Sequence, residues 1–149
     1  MIYVLLINSL MVIVTVLVHY EFLHRLTIYI PKIKIGHKYG IVIGVLGCLV
    51  AHAIEIWMYA VAYFFMNHAE GWGSLNGVVN GTLDGAFNGS LMDCGYFSFT
   101  VFTTLGFGDI QPLGDLRFLT GVESLTGLVL ITWSASFLYY EMQRNWRDY

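Results

Sequence analysis

Charge is scarce in this 149-residue chain: seven Lys and Arg and ten Asp and Glu make up 11% of it, against 57% hydrophobic residues. Soluble domains carry roughly a quarter charged residues, so the composition excludes a water-exposed domain and makes lipid the expected solvent; no nucleic-acid partner is expected. Cysteine is scarce too. Cys48 lies inside an apolar run and Cys94 beyond its far end, so the two should not pair and a disulfide framework is excluded. Cys48 reads as a small buried thiol and Cys94 as a weakly constrained one, with a bridge between subunits through Cys94 as the alternative. No stretch repeats Arg or Lys at every third position, which excludes voltage sensing of the usual kind. Nucleophile-and-base pairs, phosphate loops and paired catalytic carboxylates are all missing, so an enzyme is not expected, nor is a cofactor. The opening MIYVLLINSLMVIVTVLV has no basic residue ahead of it and no cleavage site behind it, and reads as a retained helix rather than a signal peptide. About nine residues follow the last apolar run, so no nucleotide or calcium domain is expected after it.

What the chain does have is three apolar stretches able to cross ~30 Å of hydrocarbon, which takes ~20 helical residues. They run from Ile2 to about His24, from about Tyr39 to Met66 and from about Phe118 to Tyr140. A fourth piece, Tyr96 to Leu105, is half as long and ends in Gly, Gly and Asp, the pattern of a re-entrant helix and loop. Arg25, Lys32, Lys34 and Lys38 fill the first connection without an acid, whereas Asn67 to Gly95 holds Glu70, Asp84 and Asp93 without a Lys or Arg. The positive-inside rule then puts the first connection and the tail with Arg144 and Arg147 in the cytoplasm, and the amino terminus and the re-entrant piece outside. The segment from Ile28 to Ile35, broken by Pro31, is placed along the inner surface, with its basic residues against anionic lipid. Between Ser74 and Gly89 four tetrapeptides, SLNG, VVNG, TLDG and AFNG, read as a turn-rich outer loop, because Asn-Gly and Asp-Gly tolerate positive φ. Asn80 and Asn88 head sequons, relevant only in a cell that glycosylates.

TTLGFGD, Thr103 to Asp109, carries the chemistry. A cation crossing lipid must exchange its water shell for groups of similar polarity, and a row of backbone carbonyls around a narrow axis does this. Glycines at alternate positions, Gly106 and Gly108, permit the φ values that turn successive carbonyls inward and leave Leu105 and Phe107 pointing into protein. Thr104 adds a hydroxyl to the innermost site. The helix before it, capped by Asp93, aims the negative end of its dipole from Thr103 at the membrane centre. One loop cannot enclose a pore, so several copies must share an axis.

TTLGFGDIQP resembles the pore signature of the potassium-channel superfamily, TVGYG followed by Asp and, three residues later, Pro. The match is Thr104, Gly106, Gly108, Asp109 and Pro112; Leu105 and Phe107 depart from the usual Val and Tyr. By this resemblance Tyr96 and Phe97 form an aromatic cuff bracing the filter, with Tyr96 in reach of Asp109, and Thr103 and Asp109 support it. Gly127, eighteen residues past Asp109, is similar in place to a hinge glycine, and Ile131, Ala135 and Ser136 would line the cavity. The resemblance implies an all-α membrane protein: an additional transmembrane helix at 1–24, a cytoplasmic connector at 25–39, an outer helix at 40–66, an extracellular loop at 67–92, pore helix and filter at 93–112, an inner helix at 117–141 and a tail at 142–149. Four subunits would assemble around K+ as the permeant ion, in a small prokaryotic one-pore channel of the bacterial inner membrane. A weakly selective cation channel and a non-conducting adaptor stay open as alternatives.

Polar residues inside the spans need partners. His52 and Glu55 stand three apart on one helix face, and Glu123 and Thr126 are the nearest candidates by depth. Proton sensing by His52, Glu55 and Glu123 is one reading and a satisfied interhelical network the other. His19, Glu21 and His24 match no standard metal spacing and read as interfacial, so no side-chain metal site is expected.

Overall fold

A computed structural model describes residues 2–32, 37–77 and 89–147. Three long helices, α1 (Ile2–Tyr29), α2 (His37–His68) and α4 (Leu116–Arg147), carry the chain. The short helix α3 (Leu91–Phe102) lies between α2 and α4, with strand β1 (Leu75–Gly77) before it and β2 (Ile110–Pro112) after it. All three long helices are long and apolar enough to cross a membrane. Their outer faces expose large apolar side chains, among them Leu6, Leu10, Leu17, Leu49 and Leu125, the surface a helix presents to hydrocarbon or to a neighbouring helix.

Helix α1 buries one stripe, Val4, Asn8, Thr15, His19 and Leu23, spaced at four and seven residues so that one face meets the rest of the chain. Of its polar members, His19 finds a partner on α2, while Asn8 donates to the Val4 carbonyl of its own helix. Helix α1 packs against α2 and α4. Its Leu26 fills the space beside Gly47, where a Cβ would stand 2.6 Å from Leu26 Cδ2, so the absent side chain permits close helix contact. The main core gathers Tyr59, Tyr63, Leu75, Cys94, Phe97, Phe102, Leu119 and Leu130 from four elements, with α3 wedged between α2 and α4. Both cysteines are free and buried. Burial pushes the Cys94 thiol up to about 11, which leaves it inert rather than ready to bridge subunits.

Several expectations change. Helix α1 continues past His24 to Tyr29 and closes in a 3-10 turn at Ile30–Lys32, so the connector begins later than position 25. Pro31, which supplies no N–H and crowds the preceding turn, sits where the α-helix ends. Arg25 is held by Glu21 at 2.7 Å, and Lys32 stands 5.6 Å over the Tyr29 ring. Of the other basic residues named for lipid contact, Lys34 and the Lys38 side chain lie outside the described residues. The first tetrapeptide, SLNG, supplies strand β1 rather than a turn, because a partner strand completes its backbone bonds. Residues 78–88, with Asn80, Asp84 and Asn88, lie outside the described residues.

Candidate functional site

Helix α3 begins at a capping box. Ser90 accepts from the Asp93 amide at 3.1 Å, and Asp93 accepts in return from the Ser90 amide at 3.3 Å. The cap is therefore Ser90, with Asp93 as its reciprocal third-position acid, a correction to the expected cap at Asp93. At the other end Thr103 closes the helix, its hydroxyl donating to the Phe99 carbonyl at 2.7 Å. The negative end of the α3 dipole thus lies at the threshold of TTLGFGD.

The backbone beyond it alternates in hand. Thr104 (φ 60), Gly106 (φ 51) and Gly108 (φ 80) are left-handed, while Leu105 and Phe107 are not. Such alternation turns consecutive peptide groups toward one side, which a regular helix or strand cannot do. Thr104 holds this φ without the freedom of glycine, at a cost of about 1–2 kcal/mol for a β-branched residue. A Cβ added at Gly106 or Gly108 would meet nothing within 4 Å, so conformation and not crowding demands glycine there. The segment is tied at its near end, where the Gly106 amide donates to the Thr100 carbonyl at 3.1 Å.

Its far end is tied twice. Tyr96 donates its hydroxyl to Asp109 at 2.8 Å and stacks its ring on Phe107, with centroids 6.5 Å apart. The bond to Asp109 holds the Tyr96 phenol above the ordinary tyrosine value. Past Asp109, β2 pairs antiparallel with β1, Gly77 opposite Ile110, Asn76 opposite Gln111 and Leu75 opposite Pro112. Backbone bonds from Leu113 to Ser74 (2.8 Å) and from Asp115 to Trp72 (3.0 Å) extend the clip. It closes tightly at Gly73 (φ 111), where a Cβ would stand 2.1 Å from the Leu113 carbonyl oxygen.

Behind α3, the buried Glu123 on α4 joins three helices by accepting from Tyr63 on α2 and from Ser98 on α3. The single Ser98 proton is shared with the Ile56 carbonyl, 2.8 Å away, and Phe97 sets its ring edge-on to Tyr63 at 5.1 Å. Phe97 is thereby a core residue, whereas Tyr96 stands at the surface of the chain.

A family model described as ion channel matches residues 48–144. The chain belongs to the ion channel family. No curated protein and no solved structure matches it. With three apolar helices, the channel is a multi-pass membrane protein.

In the channel, Gly127 lies buried against the end of α3, where a Cβ would stand 2.2 Å from the Phe102 carbonyl oxygen. Ile131, Ala135 and Ser136 on α4 are exposed in the single chain. Leu105 and Phe107, expected to point into protein, are 63% and 66% exposed in the single chain.

The titratable residues are brought together differently from the order their depths suggested. Glu123 belongs to the Tyr63 and Ser98 network, and Thr126 bonds the Val122 carbonyl of its own helix. Glu55 instead pairs with His52 at 2.9 Å and with His19 at 2.8 Å, and Ser134 on α4 stands 3.0 Å from the far nitrogen of His52. His19 is fully buried and not interfacial, because its place on the inward stripe of α1 aims it at α2. Its spacing from Asn8 and Thr15 was the available signal.

Proposed function

We propose that the channel conducts potassium passively through Thr104, Leu105, Gly106, Phe107 and Gly108 of four subunits sharing one axis, with α3 as pore helix and α4 as inner helix. The observation that carries this reading is the alternating backbone hand of a segment whose two glycines border open space. A cation at such a site is solvated by carbonyl oxygens, and the dipole of α3 adds favourable potential on the membrane side. Leu105 and Phe107 support the assembly, since two large exposed apolar side chains at membrane depth need covering by a neighbouring subunit or lipid. The inner helix would line the cavity with Ile131, Ala135 and Ser136, all uncharged and unobstructed by their own chain.

Potassium flux from liposomes holding the purified channel tests conduction, with barium as blocker, and reversal potentials under opposed potassium and sodium gradients test selectivity. Gly106→Ala should abolish flux, because its φ of 51° costs a side-chain-bearing residue about 1–2 kcal/mol in every subunit. Flux that survives this substitution, or a reversal potential indifferent to the potassium gradient, overturns the reading. Leu105 in place of valine favours the weakly selective alternative, for which the reversal potential falls between the two ions.

A further inference from the structure

We propose that His19, His52 and Glu55 form a binding site for a first-row divalent transition ion, Zn2+ above all, joining α1 to α2 behind the end of α3. The proposal rests on the geometry and chemistry of the three side chains, and is independent of the potassium reading. One nitrogen of each ring and one carboxylate oxygen lie within 4.8 Å of one another. His19 Nδ1 stands 2.8 Å from Glu55 Oε1, and His52 Nδ1 stands 2.9 Å from Oε2, so the two imidazoles address opposite oxygens of one carboxylate.

Both far nitrogens converge on one hydroxyl: His52 Nε2 is 3.0 Å and His19 Nε2 3.5 Å from Ser134 Oγ. With a proton on each Nδ1, both Nε2 lone pairs compete for the single proton of Ser134, and the cluster keeps a net charge of −1 among apolar helices. With a proton on each Nε2, both rings donate to the two lone pairs of Ser134, but two nitrogen lone pairs then face carboxylate oxygens. That second arrangement is complete only with a cation between nitrogens and oxygens. Among the described residues no Lys or Arg pairs with Glu55. One extra proton, on His19, also closes the network, since that ring then donates to Glu55 and to Ser134 while Ser134 donates to His52 and His52 to Glu55. A divalent ion competes with that proton by taking the nitrogen lone pairs and the carboxylate at one point.

The ligand set suits zinc. Two imidazoles and one carboxylate with an open fourth position is a known zinc arrangement, and the outer nitrogens hydrogen-bonded to a hydroxyl fix the ring orientation it needs. Ligands ~2.0–2.1 Å from a tetrahedral ion stand ~3.4 Å apart, so the two nitrogen–oxygen pairs, at 2.8 and 2.9 Å, open by about half an ångström while the wider separations, up to 4.8 Å, close. His52 retains 15% side-chain exposure, which leaves a way in. Its ring is 5.7 Å from that of Phe102, so an ion here would lie beside the last turn of α3.

The test is titration of the purified full-length channel in detergent with Zn2+, and with Co2+ as an optical probe. One ion per chain is expected, with the absorption of tetrahedral Co2+ and X-ray absorption of the wild-type zinc complex showing two imidazole nitrogens. His19→Gln and His52→Gln should each weaken binding at least ~10-fold, as should Ser134→Ala through the rings it orients. His24→Gln and His68→Gln should leave binding unchanged. No ion bound at excess metal, an all-oxygen shell, or affinity unmoved by His19→Gln and His52→Gln overturns the site. The wild-type X-ray absorption decides the matter even if the substituted chains fail to fold.

Discussion

Replacing Gly127 by alanine puts a methyl carbon 2.2 Å from the carbonyl oxygen of Phe102, 2.9 Å from its carbonyl carbon and 3.0 Å from its ring. Two of the three obstacles are main chain, which no rotamer change can remove, so α4 must back away from the end of α3 by about 1 Å. Overpacking of this kind costs about 1–3 kcal/mol, and a backbone obstacle belongs at the upper end. Alanine recovers up to about 1 kcal/mol of helix propensity, leaving a net loss of roughly 1–2 kcal/mol per subunit. Gly121 on the same helix is the control, because a Cβ there meets nothing within 4 Å. Thermal unfolding in detergent should fall by several degrees for Gly127→Ala, at ~2–4 °C per kcal/mol, and hold or rise for Gly121→Ala. Ion flux should fall with Gly127→Ala as well, since the obstacle adjoins the start of the filter. A Gly127→Ala channel that melts at the parental temperature refutes the close contact; altered gating at unchanged stability would instead favour a hinge.

Glu123→Gln should stay within about 1 kcal/mol of the parent, because an amide can still accept from Tyr63 while Ser98 keeps the Ile56 carbonyl, whereas Glu123→Leu leaves the Tyr63 hydroxyl only its 3.3 Å contact with Thr120 and should cost about 1–3 kcal/mol, readable in the same melts. Ser90→Ala removes the cap of α3 and should cost about 1 kcal/mol, with faster hydrogen exchange in its first turn than in its last. Tyr96→Phe keeps the ring on Phe107 but frees Asp109, and should shorten single-channel openings without changing subunit assembly. Because Asp109 raises the Tyr96 phenol, the stability this bond contributes is fully present below the ordinary tyrosine pKa of about 10 and is lost as pH rises through the higher folded value. Openings that lengthen in Tyr96→Phe would sink this account.

The spans and the half-length piece were legible because hydropathy and length are local quantities. TTLGFGD was legible because alternate glycines have few other uses. The left-handed Thr104 was not, since nothing about a threonine announces that φ. Ser90 could have been found, being followed three residues later by an acid at the head of an apolar run. Strand β1 could not, because SLNG favours a turn until a segment some thirty-five residues later offers a ladder. Depth alone matched His52 and Glu55 with Glu123; rotation about the helix axes decided otherwise, and the stripe from Val4 to Leu23 was the clue to that rotation.

The pairing of His19 with Glu55 also bears on how such a chain could have arisen. Without the leading span Glu55 would keep His52 of its own helix but lose its second imidazole, and without the acid His19 would keep only its longer approach to Ser134. A chain lacking the leading helix should therefore tolerate an uncharged residue at position 55 better than this one does.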